Sequence, residues 1–454
     1  MQRPKAGGAA FAVLAAAALG MLVASRSGSC NDKNGAGGSA AGSASAEASD
    51  AAAHTVRVRT GCHPTMVGGT LAKVGPGALS LAVVKDRALL VGTVPLEPHE
   101  WRGAHAERIV LDRMGAPVGS VETVADALPV VPGVTTFAAA LAEDGRLTTL
   151  TYAARRPTAT ECTDGLLVSK VSEVGEPHVA RDAATNATDR SVDAGAARRE
   201  LLTHACRSSS MLVAAARGPL GIAFLDGATI ADGDPKTAPA VADAVVIGGL
   251  TSSQVRLETI GGGATIANAA TAAGATSVAA AYVVAHDTTR ELHVVQLGSN
   301  GKLATKVEVF DKQNVGTVTV AYEGDTLHVV WSSFVPEKKR FVLRWSKWLA
   351  GAAPTATQSI GTGVLSAVTP SLAIDRGRFL LAWANDDQKA SSVKVGASVN
   401  GIVAIAGLAS VVSTPSSLAR EPVVALDGDT MFVAWKELAG AEPEVHAASI
   451  SCRE

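Results

Sequence analysis

The sequence predicts an all-β fold, a seven-bladed β-propeller of four-stranded blades. Three observations predict it. The stretch "PSLAIDRGRFLLAWAN" from Pro370 is nearly rewritten as "PVVALDGDTMFVAWKE" from Pro422. Their tryptophans, Trp383 and Trp435, are 52 residues apart, and a further 52 back Trp331 closes "VTVAYEGDTLHVVW". Each copy is a short apolar run, a tight polar turn and a second run rich in β-branched and aromatic residues, which reads as strand, turn, strand.

The chain begins with a targeting pattern. "MQRPK" carries two positive charges, and an uncharged, Ala- and Gly-rich stretch runs from Ala6 to Ala24. A charged head before an apolar body is the layout of a secretory signal, assigned to residues 1–29. An uncleaved anchor is the other reading of the same stretch. "SRSGSC" follows and ends at Cys30. It resembles a bacterial lipobox, with Gly28 and Ser29 before the Cys; Ser27 stands where that family usually carries an aliphatic residue. The resemblance implies acylation of Cys30, which would become the mature N-terminus; ordinary cleavage would instead free the protein. Residues 30–53 comprise this Cys and a Gly/Ala/Ser segment that cannot bury a core and serves as a disordered linker. Loss of residues 1–29 removes Arg3, Lys5 and Arg26, leaving 37 basic residues against 42 acidic ones. A surface of net charge −5 is not drawn to anionic lipid by charge, so acyl chains would do the anchoring.

Residues 54–454 form the propeller domain. Its first four units are degenerate copies. "LSLAVVKDRALLVG" ends at Gly92, "AALAEDGRLTTLTY" at Tyr152, "MLVAAARGPLGIAF" at Phe224 and "AATAAGATSVAAAY" at Tyr282. With Trp331, Trp383 and Trp435 these give seven units, and the degeneracy leaves six or eight blades open. In the last three, Ala321, Ala373 and Ala425 occupy one position and Glu323, Asp375 and Asp427 another. The alanines suit inner strands that crowd a central channel. The aromatics suit packing between blades. A third run follows each pair, and in the sixth unit "GIVAIAGLASVV" reads as a fourth strand. Four strands in about 50 residues make a propeller blade. The seventh unit ends at "EVHAASISC" without a fourth strand. The segment "HTVRVRTGC", His54 to Cys62, alternates like an edge strand and is expected to complete it, removing an open edge.

The cysteines fit that closure. With Cys30 lipidated, Cys62, Cys162, Cys206 and Cys452 remain, and an exported chain can oxidise them. Ring closure brings Cys62 to Cys452, while Cys162 and Cys206 bracket an insertion in the second unit; unpaired thiols are the alternative. The insertion, "GEPHVARDAATNATDRSVDAGAARRE", is polar and aperiodic, a candidate binding loop or a surface excursion.

Motifs for chemistry are sparse. In "HEWRGAH" the histidines His99 and His105 are six apart, not the four of a zincin helix, so no metal site is assigned. "GGGAT" at Gly261 lacks a following helical pattern and reads as a turn. No Gly-x-Ser-x-Gly elbow occurs. "RFVLRWSKW" from Arg340 puts Phe341, Leu343 and Trp345 on one face, which suits a half-buried strand. The blade organisation resembles that of sialidases. Their Asp boxes run roughly Ser-x-Asp-x-Gly-x-Thr-Trp, whereas "ALDGDTMFVAW" has the Asp and Gly at another spacing and no such Ser. The resemblance therefore implies the fold and stops short of the activity.

The chain has 454 residues, 47% hydrophobic and 18% charged, ample for a large core. Its net charge of −2 without a basic patch excludes nucleic acid as an expected partner. No cofactor, catalytic residue or metal ligand is assigned. The expected function is a protein-binding or assembly module. It would be lipid-anchored to the bacterial envelope, at the outer membrane, or else secreted, with another envelope protein as partner. A glycan-binding or glycan-hydrolysing propeller is the alternative. It predicts carboxylates and exposed aromatics, Trp101, Trp345 and Trp348 among the candidates, at one channel mouth.

Overall fold

A computed structural model describes residues 61–95, 104–124, 134–155, 163–170, 199–204, 211–227, 240–248, 251–261, 263–312, 314–387, 390–399, 401–414, 418–438 and 443–452. In chain order the strands begin with β1 (Gly61–Cys62) and β2 (Pro64–Ala72). Blade 1 is β3 (Leu79–Val84), β4 (Arg87–Pro95), β5 (Ala104–Leu111) and β6 (Glu122–Thr123). Blade 2 is β7 (Val134–Glu143), β8 (Arg146–Arg155), β9 (Thr163–Lys170) and β10 (Arg199–His204). Blade 3 is β11 (Leu212–Arg217), β12 (Leu220–Gly227), β13 (Ala240–Gly248) and β14 (Thr251–Ile260). Blade 4 is β15 (Thr265–Ala273), β16 (Ser277–Ala285), β17 (Arg290–Gly298) and β18 (Glu308–Asp311). Blade 5 is β19 (Val315–Glu323), β20 (Thr326–Val335), β21 (Arg340–Leu349) and β22 (Gln358–Ile360). Blade 6 is β23 (Ser366–Asp375), β24 (Arg378–Asp386), β25 (Ser391–Ser398) and β26 (Ser410–Val411). Blade 7 is β27 (Leu418–Asp427), β28 (Thr430–Leu438) and β29 (Pro443–Cys452), completed by β2.

Each of the seven repeat ends, from Gly92 to Trp435, falls on the second strand of a blade. The first strands line the channel. We call the face where they begin the upper face, and the face carrying the turns to the second strands the lower face.

Why the second strands are buried along their centres follows from the ring. Side chains on a strand alternate between its two faces. In a propeller both faces are covered by neighbouring blades. On β24, Phe379, Leu381 and Trp383 pack toward blade 5, while Leu380 and Ala382 pack toward blade 7. Among the described residues seven hydrophobic clusters form, one at each blade interface. The cluster that joins Phe432 and Ala434 of blade 7 to Leu90 and Ile109 of blade 1 closes the circle.

Closure differs from the sequence expectation. The strand that completes blade 7 is β2, paired from Pro64↔Cys452 to Ala72↔Val445. The shorter β1 pairs instead with blade 6, at Gly61↔Ser398 and Cys62↔Ala397. Residues 54–60 lie outside the described residues. The physical reason is room: β26 covers only Lys394 and Val395 of β25, leaving the end of β25 open to β1. That end is open because "GIVAIAGLASVV" is not one strand. Ile402–Gly407 forms a 3₁₀ turn, with Ile402 and Ile405 buried. Gly396 permits this, since a Cβ there would collide with Ile405.

Candidate functional site

The inner strands enclose a channel of about 630 Å³. Its wall is mostly small apolar side chains and backbone, because seven strands converge there. An inner strand is an edge strand, so its outward N–H groups need acceptors. In blades 2, 5, 6 and 7 a side chain of the preceding blade takes up such a group. Val318 N–H donates to Asn268 Oδ1 at 2.9 Å, Leu372 N–H to Thr319 Oγ1 at 3.1 Å and Val424 N–H to Ser371 Oγ at 3.0 Å. The same linkage recurs at the seam between blades 1 and 2, from Ala140 N–H to Ser80 Oγ at 3.0 Å. The polar side chains of the channel wall thus hold blade to blade.

The lower mouth is tied in the same way. Asp375 Oδ2 accepts from Gly428 N–H at 2.8 Å, and Asp427 Oδ2 accepts from Lys85 N–H at 2.6 Å. In each case a carboxylate closing one inner strand caps the next blade's turn. Arg376 lies 3.5 Å from Asp375 and 3.7 Å from Asp427. Arg217 of blade 3 reaches Asp375 of blade 6 at 3.8 Å. Two blades separate them one way round the ring and three the other, so this contact crosses the mouth.

Ala321, Ala373 and Ala425 lie on inner strands β19, β23 and β27, and Ala321 and Ala425 are buried. Trp331, Trp383 and Trp435 are buried between blades. Each indole N–H is satisfied there: Trp331 by Asp311 at 2.9 Å, Trp383 by Asn385 at 2.8 Å and Trp435 by Glu437 at 2.8 Å. Directly opposite them on the third strands stand Arg344, Lys394 and His446. Blade 4 repeats the arrangement with Tyr282 opposite His293, both bonded to Glu258 Oε2 at 2.8 Å. Burial, then Glu258, pushes the Tyr282 phenol well above its usual range. Sequence reading missed these partners, although a spacing of 11 from Tyr282, Trp383 and Trp435 leads to His293, Lys394 and His446.

His328 was also missed. It is fully buried between blades 5 and 6, stacked on Trp345 with centroids 5.9 Å apart. Trp345 Nε1–H donates to its Nδ1 at 3.2 Å, so Nε2 carries the proton toward Glu323 at 3.1 Å. Burial pushes the imidazole down to about 4, against the pull of Glu323.

The other candidate residues are placed as follows. Trp345 and Trp348 are buried rather than presented at a mouth, while Trp101, His99 and Glu100 lie outside the described residues. His105 sits on β5, 3.4 Å from Glu107. Cys452 ends β29 and is disulfide-bonded. The side chains of Cys30, Cys62, Cys162 and Cys206 lie outside the described residues, as does the insertion between β9 and β10. Among the described residues, no helix is long and apolar enough to cross a membrane.

Comparison by sequence finds no matching protein-family model and no matching curated protein. Comparison by structure finds β-propellers. The chain is similar to the β-propeller domain of the Trilobed protease from Pyrococcus furiosus, at 10% identity and TM-score 0.43, covering 85% of this chain and 97% of that one. It is similar to Trypanosoma rangeli sialidase in complex with the inhibitor DANA, at 8% identity and TM-score 0.42, covering 83% of this chain and 55% of that one. It is also similar to Pyrococcus horikoshii acylaminoacyl peptidase, at 9% identity and TM-score 0.42, covering 81% and 50%. The chain thus spans about half the length of those last two proteins.

Proposed function

We propose that the chain is an exported propeller, held to the bacterial envelope through an acylated Cys30, that binds another envelope protein through the loops of one face. One observation carries the binding reading. Asn268, Thr319 and Ser371 of the channel wall and the carboxylates Asp375 and Asp427 at its lower mouth are used in bonds between blades, which stiffens the ring as a scaffold. A rigid scaffold with its chemistry turned inward leaves the surface loops to carry recognition. The glycan reading asks for exposed aromatics at a mouth, and burial of Trp345 and Trp348 weighs against it. In this reading Cys62 pairs with Cys452 across the seam and Cys162 with Cys206 across the insertion.

The test is crosslinking on intact cells, purification and mass spectrometry. A stoichiometric envelope protein and an acylated N-terminal Cys30 are expected. No partner, in cells where a known envelope complex is captured, refutes the binding reading. A released chain without acyl groups refutes the tether.

A further inference from the structure

The upper face of blade 5 carries a patch that names one kind of partner. The turn after β20 runs Val335, Pro336, Glu337, Lys338, Lys339, with Lys339 in the left-handed region at φ 50°. At its base Phe334 and Phe341 meet edge-on, with centroids 5.4 Å apart, and both are half-buried. The loop between β22 and β23 is fixed against them. The Arg340 guanidinium donates to the carbonyls of Gly363 and Leu365, the latter at 3.3 Å, and Phe341 N–H donates to Ser366 Oγ at 3.3 Å. Between those anchors Val364 is 85% exposed, more than any other large hydrophobic among the described residues. An apolar tip held out on a pinned loop has already lost most of its freedom, which lowers the cost of binding through it.

Cations gather on the turns beside this tip. Lys338 and Lys339 are exposed and make no ion pair among the described residues. Lys312 is exposed on the neighbouring loop, whose Asn314 carbonyl accepts from Phe334 N–H at 3.1 Å. Against these cations and Arg340 the turn offers one carboxylate, Glu337; the next blade's turn adds Asp386, opposite Ser366 and 3.7 Å from Arg420, and Asp387. A chain that is acidic overall thus concentrates positive charge around an exposed apolar point. Complementary charge steers encounter and selects partners, and apolar anchors ringed by polar groups are the usual anatomy of an interface.

We infer that this patch, Val364 with Phe334 and Phe341 inside a rim of Lys312, Lys338 and Lys339, docks an acidic protein segment that carries one apolar anchor. The inference rests on the binding reading above and commits it to one face and one blade.

The probe is a fluorescein-labelled peptide with a single leucine flanked by glutamates, titrated by anisotropy against the purified chain. Binding is expected to weaken with added salt. It is expected to weaken by about tenfold or more in K338E/K339E and in Val364→Asp. Lys302→Glu, on an exposed loop of the lower face, is expected to leave it unchanged. All these positions are exposed, and thermal melts confirm that each variant folds. No peptide binding overturns the inference, as does equal loss in Lys302→Glu. Binding of phosphatidylglycerol vesicles in place of the peptide overturns it too. The in-cell crosslink separates this failure from that of the broader reading. A captured envelope protein indifferent to K338E/K339E refutes the patch and keeps the binding module. No captured protein and no peptide binding refute both.

Discussion

Arg217 and Asp375 close inner strands on blades 3 and 6, and their side chains meet at 3.8 Å across the lower mouth of the channel. Asp375 does two things at once: Oδ1 faces Arg217 and Oδ2 caps Gly428 N–H of blade 7. The two contacts differ in worth. The ion pair has a half-exposed arginine and is screened by solvent, so Arg217→Ala is expected to cost less than about 1 kcal/mol. Asp375→Ala also orphans a backbone donor, and about 1–3 kcal/mol is expected. Urea unfolding of both variants measures the difference, and equal costs would show that the cap contributes nothing.

Trp383 is expected to be among the most sensitive positions. Trp383→Ala empties a site 1% exposed between blades 5 and 6, at a cost of about 3–5 kcal/mol. Trp383→Phe keeps the ring but leaves buried Asn385 Oδ1 without its indole donor, at about 1–3 kcal/mol. A phenylalanine variant as stable as the parent would mean that Asn385 finds water instead.

Stability is expected to fall in mild acid because of His328. Its folded value is about 4, below the ordinary histidine value of 6.5. Above pH 6.5 the ring is neutral folded or unfolded, and stability is full. As pH drops from 6.5 toward 4, the unfolded chain takes a proton that the folded protein refuses. The loss is on the order of 3 kcal/mol by pH 4. Unfolding followed across that window, with His328→Gln as comparison, checks it. The variant's profile is expected to be flatter, and a parallel profile would assign the acid sensitivity elsewhere.

Blade 1 ends its second-strand repeat on a glycine for a steric reason. A Cβ on Gly92 would collide with the Gly75 carbonyl, because the chain from β2 to β3 crosses there and Gly77 N–H donates to Thr93 O at 2.7 Å. Gly92→Ala is expected to cost about 1–3 kcal/mol. Gly261→Ala meets no atom within 4 Å and is expected to change stability by less than about 0.5 kcal/mol. Melting temperatures of the pair decide it.

Peptide mapping under non-reducing conditions is expected to join Cys62 to Cys452. On the chain-entropy model so long a loop adds on the order of 4 kcal/mol or more, so Cys452→Ser is expected to unfold at markedly lower denaturant. A map joining Cys452 to Cys206 would overturn the pairing.

The architecture was readable because blades 5 to 7 keep one period and one set of residues, Ala at the inner strand and Trp at the second. Blade 1 hides the pattern, since its aromatic gives way to a crossing chain. The equivalence of Asp375 and Asp427 was visible, yet their role was not, because each acts on the next blade's turn. The Arg217 contact was beyond reach of any local pattern, since only ring geometry sets blade 3 opposite blade 6. The closing strand was displaced along the sequence because a glycine in blade 6, Gly396, admits a 3₁₀ turn where a strand was expected.

The pairing of β2 with β29 also imposes an order of events. Thr65 Oγ1 donates to Ser451 O across 386 residues of chain. Such long-range pairing raises the contact order and slows folding. Made from its N-terminus, the chain must hold an uncharged nine-residue strand, with Met66, Val67 and Leu71 exposed even in the finished ring, unpaired until β29 is made. Removal of β29 should therefore leave β2 unpaired and give an aggregating species rather than a slightly smaller propeller.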